Sequence, residues 1–404
     1  MGNHGHSNAP AQPTIPANHS WQKLPKMGMG VGAVGLGLSV VLAFVSGKDQ
    51  FYYSYLVAYL FFLSISLGGL FFVLVHHATK SGWAVAMRRI AENIMGTLPL
   101  MAVLFLPVLA GLHQHVLFHH WTEMGADDAI LQGKSAYLNV PFFYVRAVIF
   151  FAAWALLSRF FRGTSIKQDT TGDHSLSERM LRKSYPGLAV FVFSISFASW
   201  DWIMTHDPHW YSTMYGVYYF AGTGLSIYAV LAMMVIIMPR KGLLADTFTI
   251  EHQHALGKLT WGFTVFWAYI AFSQFMLIWY ANIPEETLWF KHRVTGSWET
   301  VTILLAIGHF VLPFFFLIAR TMKRIPNALL ACCIWLMAMH YVDLHWQIMP
   351  VLHNHDAHPA LLDLTTFIGV GGIWVGYFMK LMTSGNMIPI KDPRLSESLS
   401  FENM

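Results

Sequence analysis

The chain has 404 residues, of which 55% are hydrophobic and only 11% charged, with a formal net charge of +4. Soluble domains carry about a quarter charged residues, so this composition and a mean hydropathy of +0.47 exclude a soluble enzyme or a nucleic-acid-binding module and point to an integral membrane protein. The two cysteines, Cys332 and Cys333, are adjacent in an apolar run, and neither a CxxCH nor a spaced cysteine set is present, so a redox centre would be a mobile cofactor or belong to a partner chain.

Residues 1–26 are polar and rich in Pro, Asn and His. They read as a disordered or partner-bound arm, and no cleavable signal peptide is expected ahead of the first long apolar run. Apolar runs near the ~20 residues a membrane span needs follow at 27–47, 51–77, 90–117, 139–161, 184–205, 213–238, 256–282, 297–320, 327–350 and 361–383. The period-2 alternation of a membrane barrel is absent. The expected fold is all-α: ten transmembrane helices, with residues 384–404 as a cytoplasmic tail. Lysine and arginine crowd the segments on the N-terminal side, whereas the opposite segments hold only Lys48, Lys134, Lys291 and Arg293. That bias, roughly five to one, predicts that both termini are cytoplasmic.

The outer segments "HQHVLFHHWTEMGADDAI", "THDPHWYSTM" and "HNHDAHPALLD" are rich in His, Trp and acid. They read as interfacial aromatics and solvated loops, or as a docking surface for large partners. His113, His115, His119 and His120 lack an acidic or cysteine ligand at firm spacing, so no metal site is assigned. Asp207-Pro208 reads as turn chemistry, the aspartate capping and the proline opening the next helix.

The fifth run, "SISFASWDWIMTHDP", and the ninth, "LMAMHYVDLHWQIMP", each carry Asp followed by Trp and Ile-Met and end at Pro. Asp201 lies 16 residues beyond Tyr185 and Asp343 16 beyond Asn327, so each sits ~24 Å up its helix, near the outer edge of the hydrocarbon. The match suggests a parallel repeat, about 51–205 and 213–350, of spans 2–5 and 6–9, with spans 1 and 10 flanking.

In the ninth span His340, Asp343 and Gln347 share one helical face, and Tyr341 and His345 form a second polar stripe. His309 lies mid-way along span eight, Glu299 at its outer end, and Arg146 about two turns into span four. Ionisable groups at membrane depth face the bundle interior and either lock helices together or carry function. A carboxylate and an imidazole on one face also suit proton transfer. On the inner side His76, His77, Glu92, Asn93 and the stretch from Glu251 through His252 to His254 are candidates for an inner half-channel, or else helix ends facing water.

The stretch "SWDWIMTHDPHWYSTMYGVYYFAG", with "LLDLTTFIGVGGIWVGYF" near the C-terminus, resembles the NrfD/PsrC-like membrane subunits of the polysulfide-reductase family, in the form found in bacterial alternative complex III. That resemblance spans all ten runs, and it implies two four-helix bundles, spans 2–5 and 6–9, plus two peripheral helices. It implies a non-haem subunit of a respiratory quinol:electron-acceptor oxidoreductase in the bacterial inner membrane. It further implies menaquinol as the electron donor, and partner subunits that carry haems c and iron–sulfur clusters. A secondary transporter and a pure assembly scaffold are the competing readings. Co-purified haem and iron–sulfur subunits separate the transporter from the other two.

Overall fold

The computed structural model describes residues 13–123, 128–354 and 356–403; the first twelve residues of the expected N-terminal arm lie outside them. Ten helices are long and apolar enough to cross a membrane: α1 (Ser20–Ser46), α2 (Lys48–Ala78), α3 (Val85–His113), α4 (Val140–Thr171), α5 (Ser175–His206), α6 (Tyr215–Arg240), α7 (Ile250–Ala281), α8 (Trp298–Ile318), α9 (Pro326–Val351) and α10 (Leu361–Thr383). No strand occurs among the described residues. The protein is an all-α integral membrane protein, as a bilayer demands of a chain that must satisfy each backbone N–H and C=O within its own segment.

Helices α2–α5 pack as one group and α6–α9 as a second, and the groups meet where α2 runs against α6 and α9 and α5 against α6. Helix α2 is therefore buried along nearly its whole length, which explains why it is apolar on every side rather than amphipathic. Helices α1 and α10 pair with each other and lean on α2. Small residues make that pairing close. A Cβ on Gly372 would stand 2.5 Å from the Gly32 nitrogen, and one on Gly28 would stand 2.7 Å from the Gly376 Cα. Gly28/Gly32 and Gly372/Gly376 are two GxxxG pairs, the spacing that lets helix backbones touch in lipid.

Several helices outrun their apolar stretches. Helix α4 continues to Thr171 and α5 starts at Ser175 because the polar residues past the membrane find partners: Gln168 Nε2 donates to Ser177 Oγ and to the Asp173 carbonyl. Helix α1 starts at Ser20, inside the expected arm, where Trp21 is buried and Gln22 Nε2 donates to the Ile15 carbonyl. Helix α3 is broken at Gly96–Thr97 and again at Phe105, ahead of Pro99 and Pro107, where each proline lacks a donor and crowds the preceding turn.

One local expectation is corrected. Asp207 does not cap α6 and Pro208 does not open it. Met214 holds the N-cap position, seven residues beyond Asp207, and the Asp207 carbonyl instead accepts from Trp210 N in a turn. The aromatic run from Trp210 is used to fill the space beneath the short helix Pro284–Arg293, with Trp210 stacked on Trp289 at 4.5 Å.

Candidate functional site

Asp343 sits in the last two turns of α9, 2% exposed. Three neutral donors from three helices converge on its carboxyl: the Tyr218 hydroxyl of α6 on Oδ1, and Trp267 Nε1 of α7 at 3.2 Å with Gln347 Nε2 of α9 at 3.0 Å on Oδ2. The i+4 spacing of Asp343 and Gln347 places both on the inward face, and Gln347 Oε1 accepts in turn from Tyr215 Oη at 2.8 Å. A continuous file thus runs Tyr218–Asp343–Gln347–Tyr215 through the second group of helices. Among the described residues no cation pairs with Asp343.

A buried cation of the same helix group is spent elsewhere. Arg293, 2% exposed, closes the short helix Pro284–Arg293. It donates to the carbonyls of Gln347 at 2.6 Å, Trp289 at 2.8 Å and Trp346 at 3.2 Å, and lies 3.5 Å above the Trp289 ring. Burial pulls its pKa down to about 10, so it remains charged at neutral pH. Its charge complements the C-terminal end of α9, where unsatisfied carbonyls gather.

His309 lies in a π-helical turn of α8, Ala306–Val311. Such a turn inserts an extra residue and re-aims side chains, and is frequent at functional sites. Its ring lies 3.9 Å from that of Trp267, and neither nitrogen has a hydrogen-bond partner among the described residues. His340, one turn below Asp343, pairs with Ser64 Oγ of α2 at 2.9 Å, leaving Nδ1 without a partner among the described residues. Gly222 of α6 makes room for it, since a Cβ there would meet His340 Cε1 at 2.5 Å. The face that predicts a His340–Asp343–Gln347 set therefore joins only the last two directly. Next to Tyr218 and Trp267 opens an apolar cavity of about 430 Å³, also walled by Ala271, Phe275, Thr302, Ala306, Phe310 and Trp346.

In the first group Asp201 has a different environment. Arg146 Nε donates to Asp201 Oδ2 at 2.6 Å, and Arg146 Nη1 donates to the Tyr137 carbonyl at 2.7 Å. The guanidinium lies between the rings of Tyr137 (3.9 Å) and Phe142 (4.5 Å). The flanking tryptophans do not clamp the aspartate. Trp202 packs into Phe105, Phe151 and Trp154, and Trp200 turns toward Phe197.

No family model matches this chain, and no curated protein matches it. What the chain can do is therefore read from its own residues.

On the face that carries both termini the remaining candidates are held in place by ion pairs. Glu92 is fully buried between Arg88 and Arg89, at 3.4 and 2.7 Å; Arg89 also pairs with Asp169 of α4 at 2.8 Å, and Arg88 with Asp392 of the C-terminal segment. Glu251 pairs with Arg324 at 2.7 Å and accepts from Asn403 Nδ2 at 3.2 Å. His252 Nδ1 meets Thr249 Oγ1 at 3.0 Å, and its Nε2 meets Ser398 Oγ at 3.3 Å. The C-terminal segment thus folds back over this face rather than trailing from it. No hydrogen bond links Glu92 to Glu251 or His252 among the described residues. Glu299, at the other end, is exposed in the first turn of α8.

The second polar stripe of α9 reaches α10: Tyr341 Oη donates to the Asp363 carbonyl at 3.3 Å, and His345 Nε2 lies 3.6 Å from Asp363 Oδ2. Near the outer loops the rings of His119 and His120 lie 3.9 Å apart. No group of three His, Cys, Asp or Glu among the described residues could hold a metal. Both cysteines are buried and unbridged.

Sequence reasoning missed Tyr215, Tyr218, Trp267, Arg293 and Asp363. The first two carried a usable signal, being three residues apart on one face of α6. Trp267 carried none, because tryptophan in an apolar helix is ordinary.

Proposed function

We propose that this chain is a non-haem membrane subunit of a respiratory quinol:electron-acceptor oxidoreductase, the counterpart of the ActF subunit of bacterial alternative complex III. In this reading it lies in the bacterial inner membrane with both termini cytoplasmic, beside other membrane subunits, a multihaem cytochrome c and iron–sulfur subunits. The observation that carries the reading is the contact between a cation-free buried carboxyl and an apolar cavity. Tyr218 and Trp267 both donate to Asp343 and line the cavity, whose volume falls in the range of small-molecule sites. Oxidation of a quinol releases two electrons and two protons. The electrons must leave to a partner's haem or cluster, since the chain has no covalent haem motif. A proton needs an internal acceptor, and Asp343, relayed through Gln347 and Tyr215, is placed to serve.

Menaquinol suits the cavity by its chemistry: an apolar ring and tail against Phe275, Phe310 and Ala271, with Tyr218, Trp267 and Thr302 as the polar groups that orient it. A pure scaffold is favoured for the first helix group alone, where Asp201 is consumed by Arg146. The deciding experiment purifies the intact assembly from membranes carrying Asp343→Asn. Haem and iron–sulfur subunits should co-purify at the wild-type ratio while menaquinol oxidation falls. A preparation free of both kinds of subunit that still moves a solute would support a transporter instead.

A further inference from the structure

The second polar stripe of α9 points away from the Asp343 site. Tyr341, about 200° around the helix from Asp343, lines a separate cavity of about 570 Å³ between α9 and α10. Ile334, Met337 and Ala338 wall one end of it and Tyr341 and Asp363 the other, with Phe61 of α2 and Phe367 of α10 between. Measured along α9 from Pro326, Ile334 stands ~12 Å and Tyr341 ~22 Å into the membrane, and Asp363 lies in the first turn of α10. The cavity thus runs from an apolar end near the middle of the membrane to a polar end on the side opposite the termini. Ile334 and Leu364 are exposed where it opens to the lipid.

The polar end accepts hydrogen bonds rather than offering them. The Asp363 carboxyl, in a residue 8% exposed, is fixed by Ser54 Oγ of α2 and by Ala360 N at 2.9 Å. Ser54 is held in turn by Gln50 Nε2 at 2.9 Å. Tyr341 Oη donates its proton to the Asp363 carbonyl at 3.3 Å and keeps its lone pairs for an incoming donor. No lysine or arginine lines the cavity among the described residues, so a phosphate there would face a carboxyl with no cation to balance it. Phe61, Tyr341 and Phe367 pack ring against ring, with centroids 5.9, 5.0 and 5.3 Å apart, and present an aromatic wall to a planar ring. These features select a planar, hydroxyl-bearing head on an apolar tail.

We propose that this cavity is a second seat for a lipophilic hydroquinone. The ring lies against Phe61 and Phe367, one hydroxyl donates to the Tyr341 oxygen beside the Asp363 carboxyl, and the tail runs along Met337 and Ile334. An oxidised ring brings a carbonyl to a wall that offers acceptors, so the cavity holds the quinol in preference to the quinone. The substrate class rests on the reading given for the Asp343 cavity, whereas the seat itself uses none of that cavity's residues.

Photolabelling of the detergent-purified assembly tests the assignment. The probe is a menaquinol analogue with a diazirine on its side chain, kept reduced by excess dithionite, and the label is mapped by peptide mass spectrometry. Label should fall on residues 334–337 of α9 and be chased by menaquinol-4 but not by an equal concentration of dioleoyl-phosphatidylethanolamine. Ala338 is exposed, so Ala338→Trp fills the cavity without entering the core. It should remove the α9 label and leave label near Phe272 of α7, which marks the Asp343 cavity. Tyr341→Phe should weaken labelling of α9 about fivefold, the worth of one hydrogen bond, and the oxidised analogue should label wild type as weakly. An α9 label that is missing in wild type, that survives Ala338→Trp, that ignores Tyr341→Phe or that the phospholipid chases equally would overturn the assignment. Equal labelling by the oxidised analogue would do the same. Loss of the α7 label alone, with the α9 label intact, would support this seat and count against the Asp343 cavity instead.

Discussion

Arg146 Nε donates to Asp201 Oδ2 at 2.6 Å, whereas Asp343, at the matching place in the second helix group, accepts only from Tyr218, Trp267 and Gln347. Two aspartates that look alike in the sequence thus have opposite chemistry. One is half of a buried ion pair between α4 and α5, and the other is a carboxyl held only by neutral donors.

Asp201→Asn should therefore act on stability. It leaves the Arg146 guanidinium buried without a counter-charge, and breaking such a pair costs about 3 kcal/mol or more. Thermal unfolding in detergent and the yield of assembled complex should both fall. Replacing the two together, Asp201→Leu with Arg146→Met, should recover much of the loss, because no lone charge remains.

Asp343→Asn should leave assembly intact. The Tyr218 hydroxyl can turn from donor to acceptor for the new amide, and the remaining oxygen still accepts from Trp267 and Gln347. Turnover, normalised to haem content of the complex, should drop about 100-fold, as when a positioned acid–base group is removed. Activity within twofold of wild type would return Asp343 to a structural role.

Gly222→Ala should displace His340. The new Cβ would overlap Cε1, so the ring must leave Ser64, at a cost of about 1–3 kcal/mol for overpacking. Ser64→Ala removes the same hydrogen bond without the clash. If His340 takes part in proton movement, both variants slow turnover, and Gly222→Ala alone lowers the melting temperature strongly.

The docking of the C-terminal segment should depend on pH. Burial raises the Asp392 pKa, but the Arg88 charge and hydrogen bond outweigh it and the carboxyl ends below its ordinary 3.8. A depressed folded-state value means that the contact stabilises fully above pH 3.8 and is lost as the pH falls through the lower, folded value. Pepsin should therefore spare the segment near pH 4 and release it at markedly lower pH, while Asp392→Asn should be released at both.

A reporter fused after Met404 should be active in the cytoplasm. Activity only on the opposite side would overturn the orientation read from the basic residues.

What the sequence determined by itself is what a bilayer imposes on any chain: ten apolar runs of spanning length, and helices throughout. These follow from local composition, because lipid leaves the backbone only the helix or the closed barrel, and the period-2 alternation of a barrel is absent. The GxxxG pairs of α1 and α10 were legible too, though their partnership was not. Which buried charges meet was decided only by tertiary structure. Arg146 and Asp201 are 55 residues apart and Tyr218 and Asp343 are 125 apart. Their pairing depends on the rotation and depth at which whole helices pack, and helical periodicity sets the face of each residue but not the neighbour that face will find.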